Sequence, residues 1–337
     1  MDSKIFPDIT TSHIRIINLE HWAWWASHFH GRIHKALRTD TGEVVVVKTI
    51  NVNGKDAASW KDEDEICSRQ LDTLKSNFDW ITRLRHPNLL RHMHYQEQMK
   101  GQQRLYRFEI FIELFGRDTL HDTACSVELT PLQTQHMMRQ VVDGLAYLHE
   151  HRCAHRDLRG CNILVAPTRT GTYLVKIAGL GNIKDVTHKW SYRRDYSYYR
   201  FFAPERFSDT PPQYQPPGLA SRRSFCLDVW SLGCVVLEVV NRGWPEFYVT
   251  GDQGQRVKKA TNLFGIMCVI ITQEGSPHIP DALPETVRSF VKSCLEREPT
   301  NRPLVTDLKG HEFLIAPQDV VAKWVLPRSV TEHDFVQ

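Results

Sequence analysis

The chain has 337 residues, which exceeds the usual size of a single hydrophobic core and favours two lobes or domains. A composition of 41% apolar and 24% charged residues is typical of a globular protein and argues against a fibrous repeat or long disorder. The net charge of +3 comes from basic residues spread along the chain, so we expect no nucleic-acid partner and no anionic membrane partner.

The cysteine pattern and the apolar runs bear on the cellular compartment. The eight cysteines form no Cys-x-x-Cys pair and show no regular spacing, which is typical of reduced thiols in an intracellular protein. Residues 1–8 lack the apolar core of a secretory signal. The longest apolar run, 263–271, has roughly half of the ~18 residues that span a bilayer. We expect a cytoplasmic protein without membrane insertion.

The first part of the chain, to about residue 110, alternates short β-rich runs with turn residues. The clearest strand is predicted over 43–50, after the turn at 39–42. Apolar residues then recur at helical spacing and predict one long helix that ends before His86-Pro87. They are Leu71, Leu74, Phe78, Ile81 and Leu84.

Beyond residue 120 the pattern is mostly helical. Thr130, Pro131 and Gln133 predict an N-cap, a proline at N1 and a capping box. A second helix around 229–240 is apolar nearly all round, so we expect it at the centre of the second lobe. The junction between the lobes is predicted within 113–120.

One loop carries the sharpest chemical signal. Residues 155–162 read His-Arg-Asp-Leu-Arg-Gly-Cys-Asn and match, at every fixed position, the catalytic loop His-Arg-Asp-Leu-x-x-x-Asn of protein kinases. The alternative is an ordinary polar loop. The resemblance implies that Asp157 accepts the substrate hydroxyl proton, that Asn162 holds a magnesium ion, and that Arg156 is the partner of a regulatory phosphate.

Two earlier segments are similar to the nucleotide-binding parts of the same family. Val-Val-Val-Lys at 45–48 looks like the Val-Ala-Ile-Lys strand, so Lys48 would hold the α and β phosphates of ATP. A lysine that ends a β-run is otherwise a solvated edge residue. The segment 111–118 resembles the hinge, with Glu113, Phe115 and Asp118 as candidate nucleotide contacts. An ordinary strand end would show the same apolar residues.

Three later motifs resemble the kinase C-lobe: Ala-Pro-Glu at 203–205, Asp-Val-Trp-Ser-Leu-Gly at 228–233 and Asn-Arg-Pro at 301–303. The resemblance implies a buried ion pair between Glu205 and Arg302, and hydrogen bonds from the catalytic loop to Asp228. The chain is thus identified as a member of the protein kinase superfamily, loosely similar to the MAP kinase kinase kinase group.

The fold class that this implies is α+β, a bilobal protein kinase fold with a β-rich N-lobe, one long helix, and a larger helical C-lobe. The expected domains are an N-terminal extension at 1–15, a kinase-like domain at 16–315 and a C-terminal tail at 316–337. The N-lobe would cover 16–114 and the C-lobe 115–315.

The sequence departs from the family where the magnesium ligand belongs. Kinases carry Asp-Phe-Gly after a short strand, and here residues 179–181 read Gly-Leu-Gly. Gly179 has no side chain with which to bind a metal. Asp185, six residues on, is the alternative ligand and is otherwise a solvated loop carboxylate.

A second departure concerns the long helix. Family spacing from His86 places Asn77 where a glutamate should pair with the strand lysine. Asp79 or Asp72 takes that position only if the register differs.

The glycine-rich loop is the third departure. Ala26 and His28 replace its first two glycines and leave only Gly31. The neighbouring Trp22, Trp24 and Trp25 are predicted to be packing residues, the alternative being an aromatic plug in the nucleotide cleft.

The segment 189–202 is rich in aromatic residues and arginines. It either receives a phosphate near Arg156 or is a fixed, aromatic-packed segment. The second is favoured because the aromatics outnumber serine and threonine there.

Three functional hypotheses follow. The favoured one is a catalytically inactive or severely impaired kinase, or pseudokinase, that acts as a scaffold or allosteric partner of another signalling protein such as an active kinase. The second is a weak ATP-dependent Ser/Thr kinase, suggested by Lys48, Asp157 and Asn162. The third is an ATP-binding sensor without turnover. ATP is the expected ligand of the second and third, and a magnesium site is doubtful because of Gly179.

Overall fold

The computed structural model describes residues 14–16, 32–52, 60–100, 105–180, 184–185, 196–207, 219–251, 255–273 and 275–326. These residues divide into two compact units, with the division after Arg117. It falls inside the junction predicted at 113–120 and a few residues beyond the predicted end of the N-lobe.

The first unit is a five-stranded antiparallel sheet with one long helix, α1 (Trp60–Ile81). The spatial order of the strands is β1-β2-β3-β5-β4. They are β1 (Ile14–Ile16), β2 (Arg32–Arg38), β3 (Val44–Val52), β4 (His92–Lys100) and β5 (Leu105–Glu113). The predicted strand at 43–50 is therefore confirmed as β3.

Side-chain alternation explains the core of this unit. Val45 and Val47 on β3 pack with Ala36 on β2 and Phe111 on β5. From α1, Phe78 packs on the sheet, and its ring centroid lies 5.5 Å from that of Phe108. The predicted helix is confirmed, although it ends at Ile81 and leaves the buried Leu84 in the loop that follows.

The second unit is mainly helical. Its helices are α2 (Leu120–Ser126), α3 (Pro131–Glu150), α4 (Leu219–Val240), α5 (Leu263–Ile271), α6 (Glu285–Cys294), α7 (Val305–Leu308), α8 (Glu312–Ile315) and α9 (Gln318–Val321). Its short strands are β6 (Asp118–Thr119), β7 (Cys153–Ala154), β8 (Ile163–Pro167), β9 (Tyr173–Ile177), β10 (Lys184–Asp185), β11 (Tyr248–Thr250) and β12 (Arg256–Lys259). They form the antiparallel sheets β6-β8-β9, β7-β10 and β11-β12.

Two helices behave as their sequences predict. Thr130 caps α3, and its hydroxyl and the Gln133 side chain form the reciprocal capping box. Every residue of α4 from Cys226 to Val240 is buried, as expected of a helix that is apolar nearly all round. The sequence therefore predicted an α+β protein correctly.

The first part of the predicted tail packs on α3. Gln135 donates hydrogen bonds to the carbonyl oxygens of Phe313 and Ala316, at 3.0 and 3.1 Å. Val321 on α9 is buried, and the ring centroid of Trp324 lies 5.9 Å from that of Phe313. Residues 327–337 lie outside the described residues.

Within the described ranges, no helix combines the length and the hydropathy needed to cross a membrane.

Candidate active site

The loop 155–162 connects β7 to the start of β8, and α4 fixes its position through Asp228. The two carboxylate oxygens of Asp228 accept hydrogen bonds from the backbone amides of His155 and Arg156, each at 2.7 Å. Arg156 adopts the left-handed conformation, with φ of 64°. Such a conformation costs a non-glycine residue energy, and the hydrogen bonds to Asp228 offset that cost.

Asp228 is completely buried. Burial raises the pKa of its carboxyl group, but the hydrogen bond from Nε2 of His149 at 2.9 Å and the backbone donors outweigh burial, so the pKa lies below its ordinary value. The group is therefore a carboxylate at neutral pH, as its role as acceptor requires.

His155 joins the loop to the segment after β9. Its Nδ1 accepts a hydrogen bond from the amide of Asp157 at 3.2 Å, and its Nε2 lies 2.8 Å from the carbonyl oxygen of Ala178. An acceptor at Nδ1 and a carbonyl at Nε2 require the neutral ring with its proton on Nε2. The amide of Ala178 also donates to the carbonyl oxygen of Asn162, at 2.7 Å. Residue 179 is thus held beside the loop.

Asp157 and Asn162, the two predicted catalytic positions, contact each other directly. Nδ2 of Asn162 donates to the carbonyl oxygen of Asp157 at 2.7 Å and to its Oδ2 at 2.9 Å. Nη2 of Arg159 lies 3.4 Å from the same Oδ2. Asn162 and Arg159 are buried, whereas Asp157 is half-buried. The Asp157 carboxylate is consequently fixed in orientation.

Gly179 follows directly, with φ of +77°, in the left-handed region that L side chains rarely adopt. A Cβ atom there would lie 2.9 Å from Cγ of Asn162 and 3.1 Å from its Nδ2 and Oδ1. The position at which the family resemblance places a metal-binding carboxylate therefore has no side chain, and the Asn162 amide fills the adjacent space.

Glu205 and Arg302 form a bidentate ion pair in the second unit. Nη1 and Nη2 of Arg302 lie 2.5 and 2.9 Å from the two carboxylate oxygens of Glu205. The same guanidinium donates to the carbonyl oxygens of Glu296 at 2.6 Å and Cys226 at 2.9 Å. Arg302 therefore ties the turn that contains Glu205 to α4 and to the loop before α7.

The aromatic segment is described only from residue 196. Phe201 and Phe202 are buried, and the hydroxyl of Ser231 donates to the carbonyl oxygen of Phe201 at 2.9 Å. The guanidinium of Arg156 donates to Ser224 on α4, at 3.1 Å. Packing of this kind agrees with the fixed-segment alternative for 196–202, whereas residues 186–195 lie outside the described residues.

In the first unit, Lys48 lies on β3 opposite Ile33 of β2 and Ile110 of β5. Its side chain is half-buried. Burial lowers the pKa of His92 to about 4, and the charge of Lys48 acts in the same direction. The ammonium group therefore lies near a buried imidazole that is neutral at pH 7.

The candidate hinge residues are distributed over both units. Oε1 of Glu113 accepts from the amide of Arg91 at 2.7 Å, which closes the end of the β4–β5 ladder. Phe115 is half-buried and belongs to the first unit, whereas Asp118 pairs with Val165 in the second. Gly31 lies outside the described residues, as do Ala26, His28 and the three tryptophans.

Asn77 and its two alternatives on the long helix differ in their surroundings. Asp79 accepts a hydrogen bond from the hydroxyl of Tyr95 on β4, at 2.6 Å. Asp72 is exposed, and Asn77 itself is half-buried. The Asp185 side chain lies outside the described residues, so the structure does not test it as a ligand.

A family model described as "Protein kinase domain" matches residues 29–314 of the chain. The chain belongs to the protein kinase family. Related kinases include mitogen-activated protein kinase kinase kinase 3 of Arabidopsis thaliana, 26% identical over 291 residues, with 84% of this chain and 40% of that protein covered. The cytokinesis protein sepH of Aspergillus terreus is 27% identical over 306 residues, which cover 90% of this chain and 19% of that protein.

Solved structures of Rad53 share the kinase fold with this chain. Rad53 1–466 in complex with AMP-PNP has a TM-score of 0.59 and 20% identity, covering 90% of this chain and 66% of that one. The Rad53 kinase domain with SCD2 has a TM-score of 0.58 and 22% identity, with coverages of 84% and 87%. At these identities the likeness concerns the fold, which is the predicted bilobal kinase fold. This kinase homologue spans 40% or less of the length of the two curated relatives above.

Magnesium fits poorly among the described residues of this kinase homologue. Protein kinases hold it with the Asp of Asp-Phe-Gly and the Asn of the catalytic loop. Gly179 supplies no ligand, so of the two family positions Asn162 is the one that keeps an oxygen for the ion, because its amide nitrogen contacts Asp157 and its Oδ1 takes no part in that contact. No cluster of three or more His, Cys, Asp or Glu side chains suited to a metal occurs in the described part of the chain.

The sequence analysis did not identify one residue that anchors the catalytic loop. Glu238 on α4 is buried, accepts from the amide of Gly160 at 2.9 Å, and has its Oε1 2.6 Å from Nδ1 of His121. Burial raises its pKa, and His121 opposes that effect. Glu238 is the one charged residue in the apolar run 229–240, and this was the available signal, because a buried charged group needs partners.

Proposed function

We propose that this chain is a signalling protein with the kinase fold and little or no phosphoryl transfer, which acts through contact with another signalling protein. One observation carries the proposal. Position 179 has no side chain, adopts a left-handed φ, and has Asn162 packed against the space where a Cβ would be.

The physical argument concerns transition-state charge. Phosphoryl transfer depends on metal ions that neutralise the charge developing on the phosphates. Loss of one preorganised charge contact typically slows a reaction by ~10²–10³, and loss of a principal metal ligand costs at least as much. Asn77, without charge at the expected glutamate position, weakens the phosphate site further.

The relatives indicate the kind of partner. Several are named as mitogen-activated protein kinase kinase kinases, so a component of such a cascade, for example an active kinase, is the proposed partner. We propose a cytoplasmic location, supported by the free thiols of seven cysteines: Cys125, Cys153, Cys161, Cys226, Cys234, Cys268 and Cys294. The kinase-like domain is proposed to run from 16 to 315, between the extension and the tail.

A weak ATP-dependent Ser/Thr kinase is the second candidate, and the geometry of Asp157 favours it. Asn162 and Arg159 hold its carboxylate, and Asp228 holds the backbone before it, which supports Asp157 as the proposed proton acceptor. ATP binding without turnover is the related third candidate. Lys48 on β3 supports it, as does the AMP-PNP complex of Rad53.

Two measurements on the purified chain separate the candidates. The first is transfer of labelled phosphate to a generic protein substrate, for the wild type, Asp157→Asn, and the control Asp143→Asn, an exposed carboxylate on α3. The second is the thermal shift with ATP, with and without magnesium or manganese. A ligand at 100 times its Kd stabilises the folded state by about 2.7 kcal/mol, which this assay detects.

We expect no transfer above the level of Asp157→Asn. Transfer that persists in Asp143→Asn and disappears in Asp157→Asn would instead establish a weak kinase and overturn the proposal. A stabilisation by ATP that needs no metal, without transfer, would establish the nucleotide sensor.

A further inference from the structure

The thiol of Cys125 lies beside an imidazole on the same helix. Cys125 and His121 are four residues apart on α2, so their side chains share one face of that helix. Sγ of Cys125 lies 3.7 Å from Nε2 of His121, where a thiol can donate a hydrogen bond to a ring nitrogen. A nucleophilic atom and a basic nitrogen are therefore in direct contact.

A buried carboxylate on a second helix orients the imidazole. Oε1 of Glu238 on α4 lies 2.6 Å from Nδ1 of His121, and its Oε2 accepts from the amide of Gly160 at 2.9 Å. Burial raises the pKa of Glu238, and the hydrogen bonds with His121 and Gly160 oppose that rise. An acceptor at Nδ1 places the ring proton there and leaves the lone pair of Nε2 facing Sγ. Cys125, His121 and Glu238 are thus arranged as nucleophile, base and orienting group.

An aromatic stack also holds the imidazole. The ring centroids of His121 and Trp244 lie 4.0 Å apart, and the two ring planes differ by 26°. This packing restricts rotation of the imidazole ring. The indole face also stabilises the positive charge that His121 gains when it accepts a proton. The contact therefore favours both the orientation and the protonated form that a base requires.

The groups around Cys125 make that base necessary. Burial raises the pKa of Cys125, and the carboxylates of Glu238 and Asp122 act in the same direction. The charge of Arg242 opposes them. Because the thiolate is the nucleophilic form, reaction near neutral pH needs an acceptor for the thiol proton. Nε2 of His121 is placed to accept it, and the imidazolium that forms compensates the charge of the thiolate.

Exposure distinguishes Cys125 from the other cysteines whose side chains the structure describes. Cys125 is exposed and Cys268 is partly exposed, whereas the others are buried: Cys153, Cys161, Cys226, Cys234 and Cys294. Burial raises the pKa of Cys161 to about 12 and that of Cys226 above its ordinary value. Buried thiols of this kind are inert. A small electrophile therefore reaches Cys125 together with its base.

We propose that Cys125 is a modification site that undergoes thiol–disulfide exchange with low-molecular-weight disulfides. The proton on Sγ moves to Nε2 of His121, Sγ forms a bond to one sulfur of the disulfide, and the disulfide bond breaks. The departing sulfur takes the proton from Nε2 and leaves as a thiol. The small disulfide is the oxidant, and the products are a mixed disulfide on Cys125 and one free thiol. The proposal does not depend on whether the chain transfers phosphate.

The test incubates the purified full chain with glutathione disulfide and follows the mixed disulfide on each cysteine by peptide mass spectrometry. We expect Cys125 to react about tenfold or more faster than Cys268, the reference thiol. Cys67, whose side chain lies outside the described residues, is measured separately in the same experiment. Cys125→Ser should remove the fast release of thiol. Reaction at Cys125 no faster than at Cys268 would contradict the proposal.

His121→Gln tests the base. Glutamine has an N–H group for Glu238 but cannot take the proton from Sγ, so the rate at Cys125 should fall by about tenfold or more. The rate at Cys268 should stay the same. His136→Gln, at an exposed position on α3, is the matched control and should leave both rates unchanged. An unchanged rate at Cys125 in His121→Gln would assign its reactivity to exposure alone and overturn the proposal.

The pH dependence of the wild-type rate tests the base without any variant, and so without any effect on folding. An unassisted thiol reacts through its thiolate, so below its pKa the rate rises about tenfold for each pH unit. A thiol and an imidazole that share one proton react at a rate that changes less with pH. Between about pH 6 and pH 8 we expect this weaker dependence at Cys125. A full tenfold rise for each unit, at about the slope of free glutathione, would show that His121 does not act as the base.

Discussion

A Cβ atom on residue 179 would lie 2.9 Å from Cγ of Asn162, so the Asn162 side chain occupies the space that a side chain at position 179 would need. Asn162 cannot retreat freely, because its amide nitrogen is bonded to the carbonyl oxygen and to Oδ2 of Asp157. The missing carboxylate and the position of the catalytic-loop asparagine are thus parts of the same arrangement.

Alanine at position 179 should cost more stability than alanine at position 171. Both glycines have φ of +77°, but a Cβ at Gly171 meets nothing within 4 Å. We expect Gly171→Ala to lose about 1–2 kcal/mol from the backbone conformation alone. Gly179→Ala should lose a further ~1–3 kcal/mol from overpacking against Asn162. Urea unfolding measures both, and equal losses would show that Asn162 moves aside without cost.

Removal of the Asp228 charge should destabilise the chain strongly and in a pH-dependent way. Asp228→Asn replaces one of the two oxygens that accept three buried hydrogen bonds with an NH2 group, which places a donor against a donor, and we expect a loss of ~3–5 kcal/mol at pH 7. Because the folded pKa lies below the ordinary value, the contribution of Asp228 is complete above about pH 4 and is lost as pH falls through the folded pKa.

Unfolding free energies between pH 7 and pH 3 check this, with Asp143→Asn on the surface as the control. The gap between wild type and Asp228→Asn should narrow toward pH 3. A constant gap would mean that packing, and not charge, is what Asp228 contributes.

Lysine cannot replace Arg302. Arg302→Lys loses the planar contact with Glu205 and hydrogen bonds to the carbonyl oxygens of Glu296 and Cys226, in a site that is fully buried. We expect a loss of ~3–5 kcal/mol in denaturant unfolding. Arg288→Lys, at the exposed pair with Glu285, should change stability by less than about 1 kcal/mol. Similar effects of the two variants would contradict this account of the buried pair.

His92 should make the chain sensitive to mild acid. Its pKa of about 4 in the folded state lies below the ordinary 6.5, so the unfolded state takes up a proton first as pH falls. Stability should therefore decrease by on the order of 2–3 kcal/mol between pH 7 and pH 4 through this group. His92→Gln should flatten that part of the profile, whereas His136→Gln at an exposed position should not. An unchanged slope in His92→Gln would assign the acid sensitivity to other groups.

The sequence by itself determined the local secondary structure and showed that the metal-binding carboxylate is absent at position 179. Thr130 and Gln133, three residues apart, cap α3 through reciprocal hydrogen bonds, so the sequence pattern is enough to predict this cap. The same holds for the family motif at 155–162 and for the absence of a side chain at Gly179. Spacing predicted the apolar face of α1 but not its end at Ile81, since Leu84 continues the period after the helix has stopped.

Only the tertiary structure decided which distant residues meet. Gly160 and Glu238 are bonded across a separation of 78 residues, and His121 and Glu238 across 117, for which no local pattern exists. The run at 263–271 showed in the sequence only that it was apolar. The packing of Ile266 and Ile270 and the exposure of Phe264 depend on how the chain folds back on itself. Periodicity reports the character of a face, whereas the path of the chain selects what that face contacts.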